Sequence, residues 1–145
     1  MRYFLDTEFN GHGGDLISLA LVDMFDRELY LSIPCHNPIP WVEAYVIPVL
    51  TCPGAYPKKR WTSAIPLNIA YFLRDDPHPH IVADWPDDIA YFCKALITAP
   101  GQMAAIPHIS FEVVRVDAYP TDLPGAVQHN ALWDARALRR KIVGP

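Results

Sequence analysis

Asp6 and Glu8, in the stretch Tyr3-Phe4-Leu5-Asp6-Thr7-Glu8-Phe9, are the first residues whose types and spacing could do chemistry. An apolar run ending in two acids reads as an interior strand of a sheet with its polar end at a site. Successive strand side chains point to opposite faces, so Phe4, Asp6 and Glu8 share one face and Tyr3, Leu5 and Thr7 the other. Two neighbouring carboxylates beside an apolar core repel each other and lose hydration. They must share a proton, meet cationic side chains or bind a metal ion, unless the strand end simply opens to water. Further acids stand in Ala83-Asp84-Trp85-Pro86-Asp87-Asp88 and at Asp134, which His129 precedes by five residues. Carboxylates suit hard divalent cations, and an imidazole can serve as a base at neutral pH. Asp134 also reads as a helix-start acid favoured by the dipole, and His129 as a surface loop residue.

Elements must bring these residues together. After the first strand, Asn10-Gly11-His12-Gly13-Gly14 is a loop whose glycines permit a turn or the close approach of a ligand. The nearly continuous apolar run Leu16 to Val22 reads as a strand covered on both faces, and Glu28 to Ile33 as the next, giving an antiparallel meander. A short helix is expected over Trp41 to Ile47, bounded by prolines. Lys58-Lys59-Arg60 beside Trp61 could hold phosphates and stack on a base, or be a solvated loop. Ser63 is expected to cap a helix reaching Leu73. His78-Pro79-His80 reads as a loop rather than a metal motif. His80 to Ala83 is a short strand, followed by an acidic turn and a helix from Ile89 to Ile97. Such strand-to-helix turns are where a parallel sheet exposes functional side chains. Phe111 to Val116 is the fifth strand. Asn130 should cap a last helix whose Leu132, Ala135, Leu138 and Ile142 form a buried stripe.

The 145 residues suit one domain, 1–145, with a real hydrophobic core. With 51% apolar and 19% charged residues the chain belongs among globular rather than disordered proteins. It has no apolar run long enough to span a membrane and no signal-peptide pattern, so a soluble protein is expected. Cys35, Cys52 and Cys93 are odd in number and form no Cys-x-x-Cys pair, which points to a reducing, cytoplasmic setting. A net charge of -4 ordinarily argues against a nucleic-acid partner. The objection weakens where several acids share a metal site, because a bound cation inverts the local charge.

Taken together, Phe4-Leu5-Asp6-Thr7-Glu8-Phe9 and His129-Asn130-Ala131-Leu132-Trp133-Asp134 resemble the first and third motifs of the DEDDh 3′-to-5′ exonucleases of the ribonuclease H-like superfamily. The resemblance runs from Arg2 to Leu138. It is nearest to a compact group of bacterial and phage exoribonucleases first recognised in mycobacteria. It implies an α/β, ribonuclease H-like fold: a central five-stranded mixed sheet, three antiparallel strands then two parallel, flanked by helices. The middle motif selects Asp88, with Asp84 the alternative. Asp87 stands where the family usually has an aromatic residue, and Asp84 where an Asn is common.

The implied activity is metal-dependent release of nucleoside monophosphates from 3′ ends of RNA, or of single-stranded DNA. Two Mg2+ or Mn2+ ions would be the cofactors. Asp6, Glu8 and Asp134 would hold one ion, Asp6 would bridge to the second, and Asp88 would act on that second ion. His129 would take the proton of the attacking water. Phe9, Asn10, Gly11 and Trp85 would meet the terminal nucleotide. No membrane partner is implied, and exposed aromatics such as Trp41 and Trp61 are compatible with a homodimer. The rival reading is a catalytically silent nucleic-acid-binding or interaction module on the same fold. A glycosidase-like carboxylate pair would leave Asp134 and His129 unexplained.

Overall fold

The computed structural model describes residues 1–59, 62–116 and 123–145. The strands are β1 (Arg2–Phe9), β2 (Leu16–Asp23), β3 (Glu28–Ser32), β4 (Lys58–Lys59), β5 (His80–Ala83), β6 (Ile97–Ala99), β7 (Gln102–Met103) and β8 (Ser110–Val113). The helices are α1 (Pro40–Tyr45), α2 (Ile65–Leu73), α3 (Pro86–Ala95) and α4 (Ala131–Val143). Among the described residues, six strands form one mixed sheet in the order β4-β3-β2-β1-β5-β8, and β6 pairs with β7 in a separate hairpin. β1, β2 and β3 are the antiparallel meander, while β5 is parallel to β1 and β8 parallel to β5. The expected five-stranded sheet is therefore corrected to six. The added strand β4 is two residues long and parallel to β3 at the edge, too short to leave a period-2 pattern in the sequence.

Strand alternation divides the core. Tyr3 and Leu5 of β1 pack with Leu19, Leu21, Leu29, Leu31 and Ile81 against Ile65, Ile69 and Leu73 of α2 and Phe92 of α3. On the opposite face Phe4 meets Val82 and Leu138 of α4, while Ala20, Val22 and Tyr30 meet Ala131, Leu132 and Ala135. Asp6 and Glu8 continue the Phe4 series, so they lie on the α4 face, in register with Ala20 and Ser18 of β2. A register shift between Glu8 and Phe9 then ends the regular pairing, and bulges of this kind re-aim the side chains beside them.

Several boundaries differ from expectation. α3 starts at Pro86 and ends at Ala95 rather than running from Ile89 to Ile97, because proline is favoured in a first helical turn. Ile97 instead begins the β6–β7 hairpin, whose turn has Gly101 at φ +71°. Of Ile89, Phe92, Cys93 and Leu96, whose helical spacing in the sequence predicts a buried stripe, Phe92 and Leu96 are buried, Ile89 is half-buried and Cys93 is exposed, while Asp88 and Tyr91 are also buried. Ser63 lies inside a 3-10 turn, Thr62–Ala64, and Ala64 precedes α2 without a side-chain cap. α1 ends at Tyr45, followed by a 3-10 turn over Ile47–Val49. β8 covers Ser110–Val113, with Val114 adding one backbone bond to Ala83. No helix among the described residues is long and apolar enough to cross a membrane.

Candidate metal centre

β1 places Asp6 and Glu8 at one end of the sheet, and α4 reaches the same end through its cap. The Asn130 side-chain oxygen accepts from the backbone N–H groups of Leu132 and Trp133, 3.1 Å each. Its amide donates to the Val49 carbonyl at 2.9 Å and the Tyr30 hydroxyl at 3.1 Å. This fully buried residue therefore fixes both the start of α4 and the segment crossing beside it. One turn on, Asp134 faces β1 and its Oδ2 accepts from the His129 N–H at 3.1 Å. His129 has φ +62°, a left-handed conformation uncommon outside glycine. Its ring meets Trp41 of α1 edge to face, with centroids 4.9 Å apart.

From the other side, α3 begins beside β5. Asp88 is almost completely buried. Its Oδ1 accepts from the Thr7 N–H at 3.1 Å and from the Thr7 hydroxyl at 2.6 Å. Asp84, at the end of β5, completes the set. Carboxylate oxygens of Asp6, Glu8 and Asp134 lie within 4.8 Å of one another, and so do those of Asp6, Asp84 and Asp88. Asp6 thus belongs to both three-carboxylate groups. The fold brings both Asp84 and Asp88, the two candidates for the middle motif, to Asp6.

Electrostatics explain what this set needs. Burial pushes the Asp6 carboxyl well above the usual carboxylate range, and Asp88, Asp134, Glu8 and Asp84 push it further. Burial lifts Glu8 to about 8, with Asp134 and Asp88 adding to the effect. Asp88 and Asp134 rise to about 7 by burial, although the Thr7 hydroxyl and the His129 N–H hold each of them back. Asp84 is raised by burial and restrained by Arg115, whose guanidinium donates to its carbonyl at 2.9 Å. Asp6 Oδ2 is buried with no hydrogen-bond partner among the described residues. Five acids that have, among the described residues, only the Arg115 guanidinium beside one of them must take up protons or a multivalent cation. An all-oxygen donor set fits Mg2+, Mn2+ or Ca2+ rather than a thiophilic metal.

The carboxylates open into a cleft of about 610 Å3 that Phe9, Gly11, Trp41, Trp85 and His129 also line. Phe9 stacks on Tyr91, centroids 4.4 Å apart. Trp85 donates its indole N–H to Asp87 at 3.1 Å, and the Arg115 guanidinium lies 4.6 Å over its ring. Asn10 stands apart from the cleft. Its amide donates to the Asn37 carbonyl at 3.1 Å and its oxygen accepts from the Ile39 N–H at 2.8 Å, tying the glycine loop to the approach to α1. Gly11 has φ +73°, and a Cβ there would lie 2.8 Å from Ile39 Cδ1. Lys58 and Lys59 are exposed on β4, outside the cleft lining, while Arg60 and Trp61 lie outside the described residues.

Sequence reasoning missed three contributors. Thr7 points away from Asp6 along the strand, and its role depends on where α3 packs. Trp41 reads as a surface aromatic until α1 is placed against His129. Arg115 carries no motif signal at all. Compared with known proteins, the chain matches no protein-family model and no curated sequence.

Proposed function

We propose that this protein is a metal-dependent 3′-to-5′ exonuclease with a ribonuclease H-like fold, acting on single-stranded RNA and, by the same chemistry, on single-stranded DNA. The observation that carries this reading is the pair of three-carboxylate groups sharing Asp6. Two hard cations about 3.5–4 Å apart are the arrangement that activates water and stabilises the leaving oxygen in phosphodiester hydrolysis. Asp6, Glu8 and Asp134 would hold one ion, and Asp6, Asp84 and Asp88 the other.

The rest of the machinery follows from the cleft. The His129 imidazole accepts the proton of the attacking water, and its placement beside Asp134 and Trp41 supports that role. Phe9, backed by Tyr91, and Trp85, backed by Arg115, offer flat apolar surfaces for bases at the strand terminus. Gly11 lets the loop backbone pass close to a bound nucleotide.

The test is a 5′-labelled oligonucleotide incubated with Mn2+ or Mg2+ and followed by gel. Stepwise shortening from the 3′ end with release of nucleoside monophosphates is expected. EDTA or Asp6→Ala should lower the rate by at least a thousandfold. Undiminished shortening in EDTA overturns the reading, and binding without turnover in every metal supports a silent binding module instead.

A further inference from the structure

A second cleft, of about 600 Å3, lies on the far side of the glycine loop. Gly11 and His12 line the metal-site cleft, and the next residues, Gly13 and Gly14, line this one. The two are also joined through a pair of rings. Phe9 faces the first cleft, Tyr91 faces the second, and the rings stack at 4.4 Å between centroids. The Tyr91 hydroxyl donates to the Gly14 carbonyl, pinning the loop between the clefts. Gly14 is itself required there, since a Cβ would lie 1.9 Å from the Asn10 carbonyl oxygen.

The lining has the chemistry of a nucleotide unit. Leu16, Ile33 and Ile65 supply an apolar floor, while Lys94 and His36 supply cationic or donor groups at its edge. Asp15 is the acid in the lining. Lys94 is exposed, lies 5.7 Å from the Tyr91 ring centroid, and has no acid within ion-pair distance among the described residues. A volume of this size falls within the usual range of small-ligand sites, roughly 300–1,000 Å3. Nothing in the proposed hydrolysis uses this cleft. Yet a polyanion drawn towards five acids needs a cationic contact upstream of them, because each neutralised phosphate contributes to affinity.

We propose that this second cleft is an upstream subsite, in which a nucleotide 5′ to the two that flank the scissile bond, absent from a dinucleotide, crosses the glycine loop, lays its base on Leu16, Ile33 and Ile65, and presents its phosphate to Lys94. The proposal rests on the nuclease reading for the identity of the strand. It makes the enzyme sensitive to substrate length as well as to the 3′ end itself.

The experiment compares a dinucleotide with a pentanucleotide in two variants, Lys94→Glu, which reverses the charge, and Ala95→Trp, which fills the cleft without touching a charge. Lys141→Glu, at the distant end of α4, is the control for non-specific electrostatics. The ratio of kcat/KM for pentanucleotide over dinucleotide should fall at least fivefold in both variants, stay at the wild-type value in the control, and recover in Lys94→Arg. Fluorescence anisotropy of the labelled pentanucleotide, with Ca2+ replacing the activating metal, should show the same fivefold loss of affinity. That measurement stands even if no hydrolysis occurs, which separates failure of the subsite from failure of the nuclease reading. An unchanged ratio and unchanged affinity in Lys94→Glu and Ala95→Trp, with both variants folded, overturns the subsite.

Discussion

At the scale of single residues, Thr7 shows how a neighbour of the acids governs them. Two donors from one residue, its N–H and its hydroxyl, converge on Asp88 Oδ1, and an oxygen of that carboxylate lies within 4.8 Å of one on Asp6. Hydrogen bonds of this type orient metal ligands, and their loss costs about 10–100-fold in metal affinity or activity. Thr7→Val keeps the shape and removes the hydroxyl, so metal titrations of its activity should shift to higher concentration by about that factor. Thr7→Ser should stay close to wild type. Equal metal dependence in Thr7→Val and wild type would show that the N–H alone orients Asp88. Asp6 and Glu8 were paired by strand alternation and His129 and Asp134 were singled out by the motif resemblance, whereas Thr7 had no signal in the sequence. It sits on the opposite face of its own strand, and only the packing of α3 gives its hydroxyl a partner 81 residues away.

Among elements, α4 carries most of the consequence, and its cap was readable while the partners of that cap were not. Asn before an apolar period is a start signal wherever it occurs. The donors from its amide to Val49 and Tyr30 span 81 and 100 residues, a distance no local pattern encodes. Replacing Asn130 with Ala removes a cap worth about 0.5–2 kcal/mol and leaves a buried carbonyl and hydroxyl short of a donor, about 1–3 kcal/mol more. Urea denaturation should report a total loss of roughly 1.5–5 kcal/mol with an unchanged m-value. Because the same residue seats His129 and Asp134, activity should fall as well, even well below the new midpoint. Loss of stability with full activity would show that the cap and the site are independent. The misplaced Ser63 cap marks the other limit: a good cap residue has no helix to cap when a 3-10 turn stands between it and α2.

For the whole molecule, the acids of the site and the net charge are one problem. Asp6, Glu8, Asp88 and Asp134, four of the five acids at the site, together equal the formal charge of -4, a sum visible in the sequence. Their burial was not, because it depends on three elements closing over the end of β1. In the folded protein Glu8 titrates at about 8 and Asp88 and Asp134 at about 7, all above their ordinary values. The native state therefore holds more protons than the unfolded chain between about pH 4 and pH 8, so stability without metal must fall as pH rises through that window. Divalent ions compete for the same oxygens and expel those protons. Thermal melts in EDTA should thus show a midpoint that declines steadily from pH 5 to pH 8, and saturating Mn2+ should raise the midpoint most at pH 8, where the carboxylates are already ionised. Calorimetric titration with Mn2+ near pH 7, repeated in buffers of different ionisation enthalpy, should register proton release on binding. A metal-free midpoint that stays level or climbs over this range, or metal binding with no proton released, would mean that the carboxylates are compensated in some other way and that the two ions are not what the cluster is built to hold.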